Sequence, residues 1–312
     1  MRFRALMCIV AILVFIVTSC AKPIDDIDVD SDSVLVEAGL RRTVIYYLSD
    51  EGFIVPVMRM IPWEEGIGKA ALQYLVADGV NTSQLSQKGL NPVIPANTEI
   101  ALRIDDGHAR VDLSGEGFPL SSADAEYAMV VALVNTLVEF PTIDSVSVSV
   151  NGNSATMANG VELPQNCGRI NLNVEVENVE TMAAIGIKPV GIYMPNVSGS
   201  LMIPITKYTT AEDSFYTAVK LMCEGSNSPA VHQCFPQGVS VLDAYISGTT
   251  ATVALTGNFA AINEVEGLLE SCYKAMYLTA LEYGQVSGLR ILVDGDVFDT
   301  GGITNPVYPN EF

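Results

Sequence analysis

Histidine and tryptophan are nearly missing from this chain, whose 312 residues include two histidines and one tryptophan. A catalytic imidazole would have only His108 and His232 to draw on. His108 falls at a predicted hairpin turn and His232 in a polar loop, with no orienting acid evident beside either, so both read as solvated surface residues. Chemistry-bearing motifs are missing too: there is no CxxC pair, HExxH helix, Gly-Lys-Ser/Thr phosphate loop or GxSxG elbow. No cofactor or metal centre is therefore predicted. Basic residues are scarce, 16 Lys and Arg against 36 Asp and Glu, for a formal charge of −20. A surface of that sign repels phosphate backbones and argues against nucleic acid as a partner. The longest uncharged apolar run, Ala5–Val17, is too short for an ordinary spanning helix.

That run is informative where it stands. Arg2 and Arg4 precede it, and Val17-Thr18-Ser19-Cys20 closes it, which describes a secretory signal over residues 1–19. The pattern resembles the bacterial lipobox, which implies cleavage before Cys20 and lipid on its thiol. Acyl chains on Cys20 would hold the protein at the outer face of a bilayer. Loss of Arg2 and Arg4 leaves 14 basic against 36 acidic residues, or −22.

Of six cysteines, Cys8 would leave with the signal and Cys20 would carry lipid. Cys167, Cys223, Cys234 and Cys272 remain, and four thiols allow three pairings. Cys223 and Cys234 bracket the loop EGSNSPAVHQ and form the candidate disulfide, with buried free thiols as the alternative. Residues 20–42 read as an acidic tether. Asp26, Asp28, Asp30, Asp32 and Glu37 match five positions of a calcium-loop template, but Ser31 stands where the turn requires glycine and Pro23 opposes a preceding helix. The tether reading is preferred.

The main body is written twice. Ile94–Phe118 alternates through Ile100, Leu102 and Ile104, reverses at Asp106-Gly107 and resumes through Ala109, Val111 and Leu113, a β-hairpin pattern. Phe235–Phe259 repeats it around Ser247-Gly248, with ATVALTG answering ARVDLSG. Upstream, FIVPVMR is echoed by LMIPITK, setting Pro204 against Pro56 and Lys207 against Arg59. Each copy reads β-β-α-β-β-α-β. The predicted helices are Trp63–Ala77 (stopped by Asp78-Gly79) and Ser121–Glu139 in the first copy, Glu212–Cys223 and Glu264–Tyr283 in the second.

The predicted class is α+β, two tandem two-layer modules, each a small mixed or antiparallel sheet with two helices on one face. The modules span 43–152 and 189–299. A connector at 153–188 carries an added strand near Arg169–Val176, pairing with the last strand of the first module or lying between modules. Residues 300–312 form a C-terminal tail.

Other candidates for chemistry have structural explanations. Asp112 is replaced by Ala254 in the second copy, so only one module could use it. Asp105-Asp106 suits a turn better than a carboxylate dyad. Tyr46, Tyr47 and Trp63 could stack on a sugar, but Trp63 at a helix entry reads as a core plug.

Asn135-Thr-Leu-Val-Glu-Phe-Pro141, Val146-Ser-Val-Ser-Val-Asn-Gly152, Ile94-Pro95, Thr98 and Val111-Asp-Leu-Ser114 together resemble the GerM domain of bacterial sporulation and germination lipoproteins. The likeness covers Thr43–Gly152 well and Pro189–Asp299 more weakly. Asn97 replaces a family glycine, and the second copy lacks the Asp of VDLS and the Thr-Leu-x-x-Phe-Pro helix ending. The resemblance implies a fold similar to the ring-building motifs of secretion systems. It also implies a noncatalytic, lipid-anchored role in an envelope complex between mother cell and forespore, with other envelope proteins as partners. The alternatives are peptidoglycan remodelling during cortex formation or germination, and glycan binding without turnover.

Overall fold

The computed structural model describes residues 39–64, 66–175 and 186–312. The signal segment, Cys8, Cys20, the calcium-like run and Val176 lie outside the described residues. Both modules belong to one compact unit, Arg42–Phe312, and the fold is α+β.

In the first module β1 (Leu40–Ser49) and β2 (Ile54–Pro62) form a hairpin closed by the Ser49 N–H donating to the Phe53 carbonyl at 2.7 Å. The helix expected over Trp63–Ala77 is shorter, α1 (Ile67–Gln73), because β2 continues through Pro62 and Gly66 sits at φ 85°, outside helical space. Trp63, expected as a core plug, is 55 % exposed at the strand end. Gly68 lets α1 approach the sheet, since a Cβ there would lie 3.3 Å from Leu102 Cδ2. Asp78-Gly79 does not return the chain to a loop. The Asp78 carboxylate accepts from the Asn81 N–H at 2.6 Å and caps α2 (Gly79–Ser86), an unpredicted helix. The short β3 (Leu90–Asn91) then pairs with β1.

The hairpin expected at the repeat is β4 (Glu99–Asp105) and β5 (His108–Ser114), paired from Glu99 opposite Ser114 to Asp105 opposite His108. Asp106 and Gly107 turn it with φ of 47° and 77°. Helix α3 (Ala123–Val138), capped by Ser122, crosses over to β6 (Ser145–Val150), which runs parallel to β5. Helix α3 is buried through its centre, touching α1, β2 and β6. Buried Glu126 in its first turn accepts from the Asn159 main-chain N–H at 3.0 Å and its side-chain amide at 2.8 Å, which pins the connector to the first module.

The second module repeats the plan with β7 (Lys188–Pro195), β8 (Met202–Thr209), α4 (Phe215–Glu224), β9 (Val241–Ser247), β10 (Thr250–Leu255), α5 (Leu268–Leu281) and β11 (Gly288–Val293), to which β12 (Asp296–Val297) is added. The helix expected over Glu264–Tyr283 is shorter, α5, because Gly267 at φ 76° stands just before its first residue, and a separate 3-10 helix, Gly257–Glu264, precedes it. Val265, ahead of α5, is exposed, whereas Leu268, Cys272, Ala275, Met276 and Thr279 are buried.

In each module the strands divide between a hairpin sheet and a second sheet. The helices touch both, so the buried faces join in one apolar core running through both modules.

Candidate functional site at the junction of the modules

The repeated prolines decide how the halves meet. Strands β2 and β8 lie side by side, and neither Pro56 nor Pro204 has an N–H with which to extend a ladder. Two asparagines supply the missing links. Asn173 accepts from the Ile54 N–H at 2.8 Å and donates to the Ile54 and Pro204 carbonyls at 2.8 and 2.6 Å. Asn310 does the same with the modules exchanged: it accepts from the Met202 N–H at 2.8 Å and donates to the Met202 and Pro56 carbonyls, both at 2.9 Å. Main-chain bonds continue each clamp. Thr206 exchanges N–H and carbonyl with Leu172 and Glu175 at 3.0 and 3.1 Å, and Met58 does so with Asn310 and Phe312 at 2.8 and 3.0 Å.

The connector therefore binds the second module's hairpin and the tail binds the first. The strand expected at Arg169–Val176 is reduced to one parallel bridge, Val174 with Thr206, while the preceding turn pairs Cys167 with Val146 on β6. Of the two placements considered for this segment, its bridge follows the one between the modules; the pairing with β6 is made by Cys167, outside it.

One position beyond each clamp lies a cation. Arg59 is buried, donating to the Tyr47 hydroxyl at 3.0 Å and Asn81 Oδ1 at 2.8 Å, with its guanidinium 4.0 Å from the Phe312 ring centroid. Burial outweighs this cation and pushes the Tyr47 hydroxyl up to about 12. Lys207 donates to the Gly225 carbonyl and lies 3.6 Å from Glu175, whose other oxygen accepts from the Ser226 hydroxyl.

A second repeated unit anchors β1 and β7. The Tyr46 N–H donates to Thr136 Oγ1 at 3.1 Å, and the Tyr193 N–H to Thr279 Oγ1 at 2.9 Å. The Tyr46 hydroxyl donates to Glu139 at 2.6 Å, and Tyr193 is bonded in the same way to Glu282. Arg169, from the connector, donates to the Tyr46 hydroxyl at 2.8 Å and Glu139 at 2.7 Å, and its charge also reaches Glu282. Burial holds both tyrosines well above their ordinary range. Burial also raises the Glu282 carboxyl, with Glu139 adding to the shift and Arg169 and Tyr193 opposing it. The sequence signal was available as Thr136-Leu-Val-Glu139 and Thr279-Ala-Leu-Glu282. Comparison with a Thr-Leu-x-x-Phe-Pro ending passes over it.

Beside the junction is an open groove of about 1250 Å³, walled by the β1–β2 turn, the β7–β8 turn, the start of α5 and the tail. Asp50, Glu51, Glu266, Glu270 and Glu311 outnumber Lys88 and Lys274 along it, and Lys274 is paired with Glu270 at 2.8 Å. Val197, Val265 and Val307 expose apolar surface there. Glu51 is lowered despite burial that would raise it, because Asn196 and Ser49 donate to it.

Few of the sequence candidates meet. His232 lines the groove, but His108 lies on the outer face of the first module, with its ring nitrogens 2.9 and 3.1 Å from the Ser145 and Ser147 hydroxyls. Asp112 accepts from the Ser149 hydroxyl and the Gly152 N–H. Asp106 serves the turn. Cys167, Cys223, Cys234 and Cys272 are unbridged, and Cys234 neighbours both Cys223 and Cys272. The expected Cys223–Cys234 pairing therefore has a neighbour that loop spacing does not reveal. Burial pushes the Cys223 thiol up to about 12. Among the described residues no three His, Cys, Asp or Glu side chains are grouped to hold a metal, and no helix is long and apolar enough to cross a membrane.

The Germane family model, described as sporulation and spore germination, matches residues 44–156 and 191–298, more than half the chain. The spore germination protein GerM of Bacillus subtilis (strain 168) is 27 % identical over 187 residues, covering 58 % of this chain. The match spans 50 % of that relative's length. The solved tandem GerMN domains of the sporulation protein GerM from Bacillus subtilis superpose with a TM-score of 0.69 at 22 % identity, covering 87 % of this chain and 99 % of that one. This likeness concerns the fold.

Proposed function

We propose, because the chain belongs to the Germane family of sporulation and spore germination, that it is a noncatalytic scaffold, lipid-anchored through Cys20 and holding proteins of a sporulation or germination envelope complex. The observation that carries this reading is the reciprocal clamp. Asn173 and Asn310 fix two modules as one body, with a groove to which both halves contribute. Rigid spacing of two surfaces suits a part whose work is to position others, since little ordering entropy is lost when a partner docks. Lipid on Cys20 would confine the protein to the outer membrane face, toward the space between mother cell and forespore, and two modules would raise effective concentration for linked partners. The acidic groove suits a partner with a basic surface.

The test is photocrosslinking in sporulating cells from Val197, Val265 and Val307, with Tyr216 as a remote control. Adducts with envelope proteins from groove positions are expected; their absence from all three sinks the scaffold reading. Cys20→Ala should release the protein from the membrane fraction, and full retention after signal removal would refute the lipid anchor.

A second reading, peptidoglycan remodelling, draws on the two carboxylates, Glu139 and Glu282, sharing the field of Arg169 with Glu282 shifted upward. Both are bonded to tyrosines, which favours a structural role. Muropeptide release by purified protein, lost in Glu282→Gln, would establish remodelling.

A further inference from the structure

The outer face of the first module's β4-β5-β6 sheet carries an arrangement that neither folding nor the junction uses. Arg103 on β4 and Arg110 on β5 are directly opposite each other in the register, and Ser147 on β6 completes the row. Like charges opposite one another across a strand pair are destabilising. Both arginines are exposed, and among the described residues neither makes a hydrogen bond or ion pair. The chain has few cations to spare: 16 Lys and Arg against 36 acids.

Acids stand in the rows on either side, Asp105 opposite His108 and Asp112 opposite Ala101. In the next row Asp112 is occupied by Ser149 and Gly152. Ser147 accepts from the Asn166 N–H at 2.9 Å, and Gln165 donates to the Val148 and Ser154 carbonyls, both at 3.1 Å. These contacts fold the connector into one wall of a recess of about 320 Å³ in which the two guanidinium groups are the unspent donors. The second module does not repeat the pair. Tyr245 and Thr252 occupy the corresponding places, with Arg290 alone on the third strand.

We propose that Arg103 and Arg110 form an oxyanion-binding site, taking the carboxylate or phosphate group of a ligand that enters this recess. A guanidinium offers a planar fork of donors matched to such a group, and two of them on adjacent strands reach it from both sides. A bound anion would also cancel the repulsion between them. The recess is the size of a small-molecule site rather than of a docked domain.

Calorimetric titration of the purified protein at low ionic strength with inorganic phosphate, and separately with citrate, tests the site. Saturable binding of at least one is expected, weakened by added salt, lowered about tenfold or more in Arg103→Gln/Arg110→Gln and unchanged in Arg290→Gln. A phosphate-only response assigns a phosphate ligand, a citrate-only response a carboxylate, and both a general oxyanion site. Arg103→Lys/Arg110→Lys should bind with intermediate affinity, since charge remains and the fork is lost. Absence of binding by either anion, or binding that survives the double Gln substitution, overturns the proposal. Without ligand the double Gln variant should melt at the same temperature as the parent or higher. A lower melting temperature would show that the arginines serve the fold, and would overturn it equally.

Discussion

The two modules solve one backbone problem identically and then diverge at the next side chain. Pro56 and Pro204 each interrupt an edge, and each edge is completed by an asparagine with the same three hydrogen bonds. Beyond the clamp, Arg59 rests among Tyr47, Tyr74 and Phe312, whereas Lys207 faces Glu175. The outer sheets differ more: the first has the Arg103–Arg110 pair, the second Tyr245 and Thr252. Backbone satisfaction admits few substitutes, so it persists through duplication. A cation can rest on aromatic rings or against a carboxylate, and a solvated face is freer still.

Several substitutions would break or sharpen this comparison. The largest effect is expected at the two cations. Arg59→Ala leaves Asn81 Oδ1 and the Tyr47 hydroxyl without their donor in the core, and Lys207→Ala leaves the Glu175 charge without its cation, each costing roughly 3–4 kcal/mol in urea unfolding. Adding Glu175→Gln to Lys207→Ala should recover part of that loss, and no recovery would show that the charge pair is not what Lys207 serves. Next come the clamps. Asn310→Ala strands buried groups at Met202 and Pro56 and should cost about 3 kcal/mol; Asn173→Ala, at a less buried position, should cost about 2 kcal/mol. If the clamps unite the modules, the double variant should unfold in two transitions where the parent shows one. Thr136→Val and Thr279→Val each remove the acceptor for one tyrosine N–H and should cost about 1–2 kcal/mol apiece. A large disparity between them would mean that the two Thr-Glu units are not equivalent.

The smallest effect concerns pH. Glu282 has its folded pKa raised, so native protein binds its proton more tightly than unfolded chain does. Its contribution is fully present below the ordinary value of 4.5 and is lost as pH rises through the raised folded value. Glu282→Gln should therefore be equal or slightly more stable than the parent at pH 7 and flatten this part of the profile. The residue keeps much of its surface in water, which limits the gain.

Much of the fold was legible because it is local. Alternation in Ile100–Leu113 and the Asp106-Gly107 turn specify a hairpin, and the echo of FIVPVMR in LMIPITK reveals the second copy. The late helix starts come from glycine: periodicity is indifferent to Gly66 and Gly267, yet each adopts a left-handed conformation just before the helix begins. Helix α2 lacks a strong apolar stripe and is signalled mainly by Asp78. The junction was not legible. Asn173 and Asn310 stand in a connector and a tail without repeating pattern, and their partners are distant in sequence. The Thr-x-x-Glu units were visible in principle, but their meaning depends on tyrosines from strands far upstream.

The tail's place on β2 also sets an order of assembly. Asn310 reaches Pro56 across 254 positions, so the hairpin that leaves the ribosome first waits for residues made 254 positions later. Meanwhile the main-chain groups of Met58 face water or a chaperone. A nascent chain halted in the second module would display that raw edge, which is the kind of feature quality-control proteases can read.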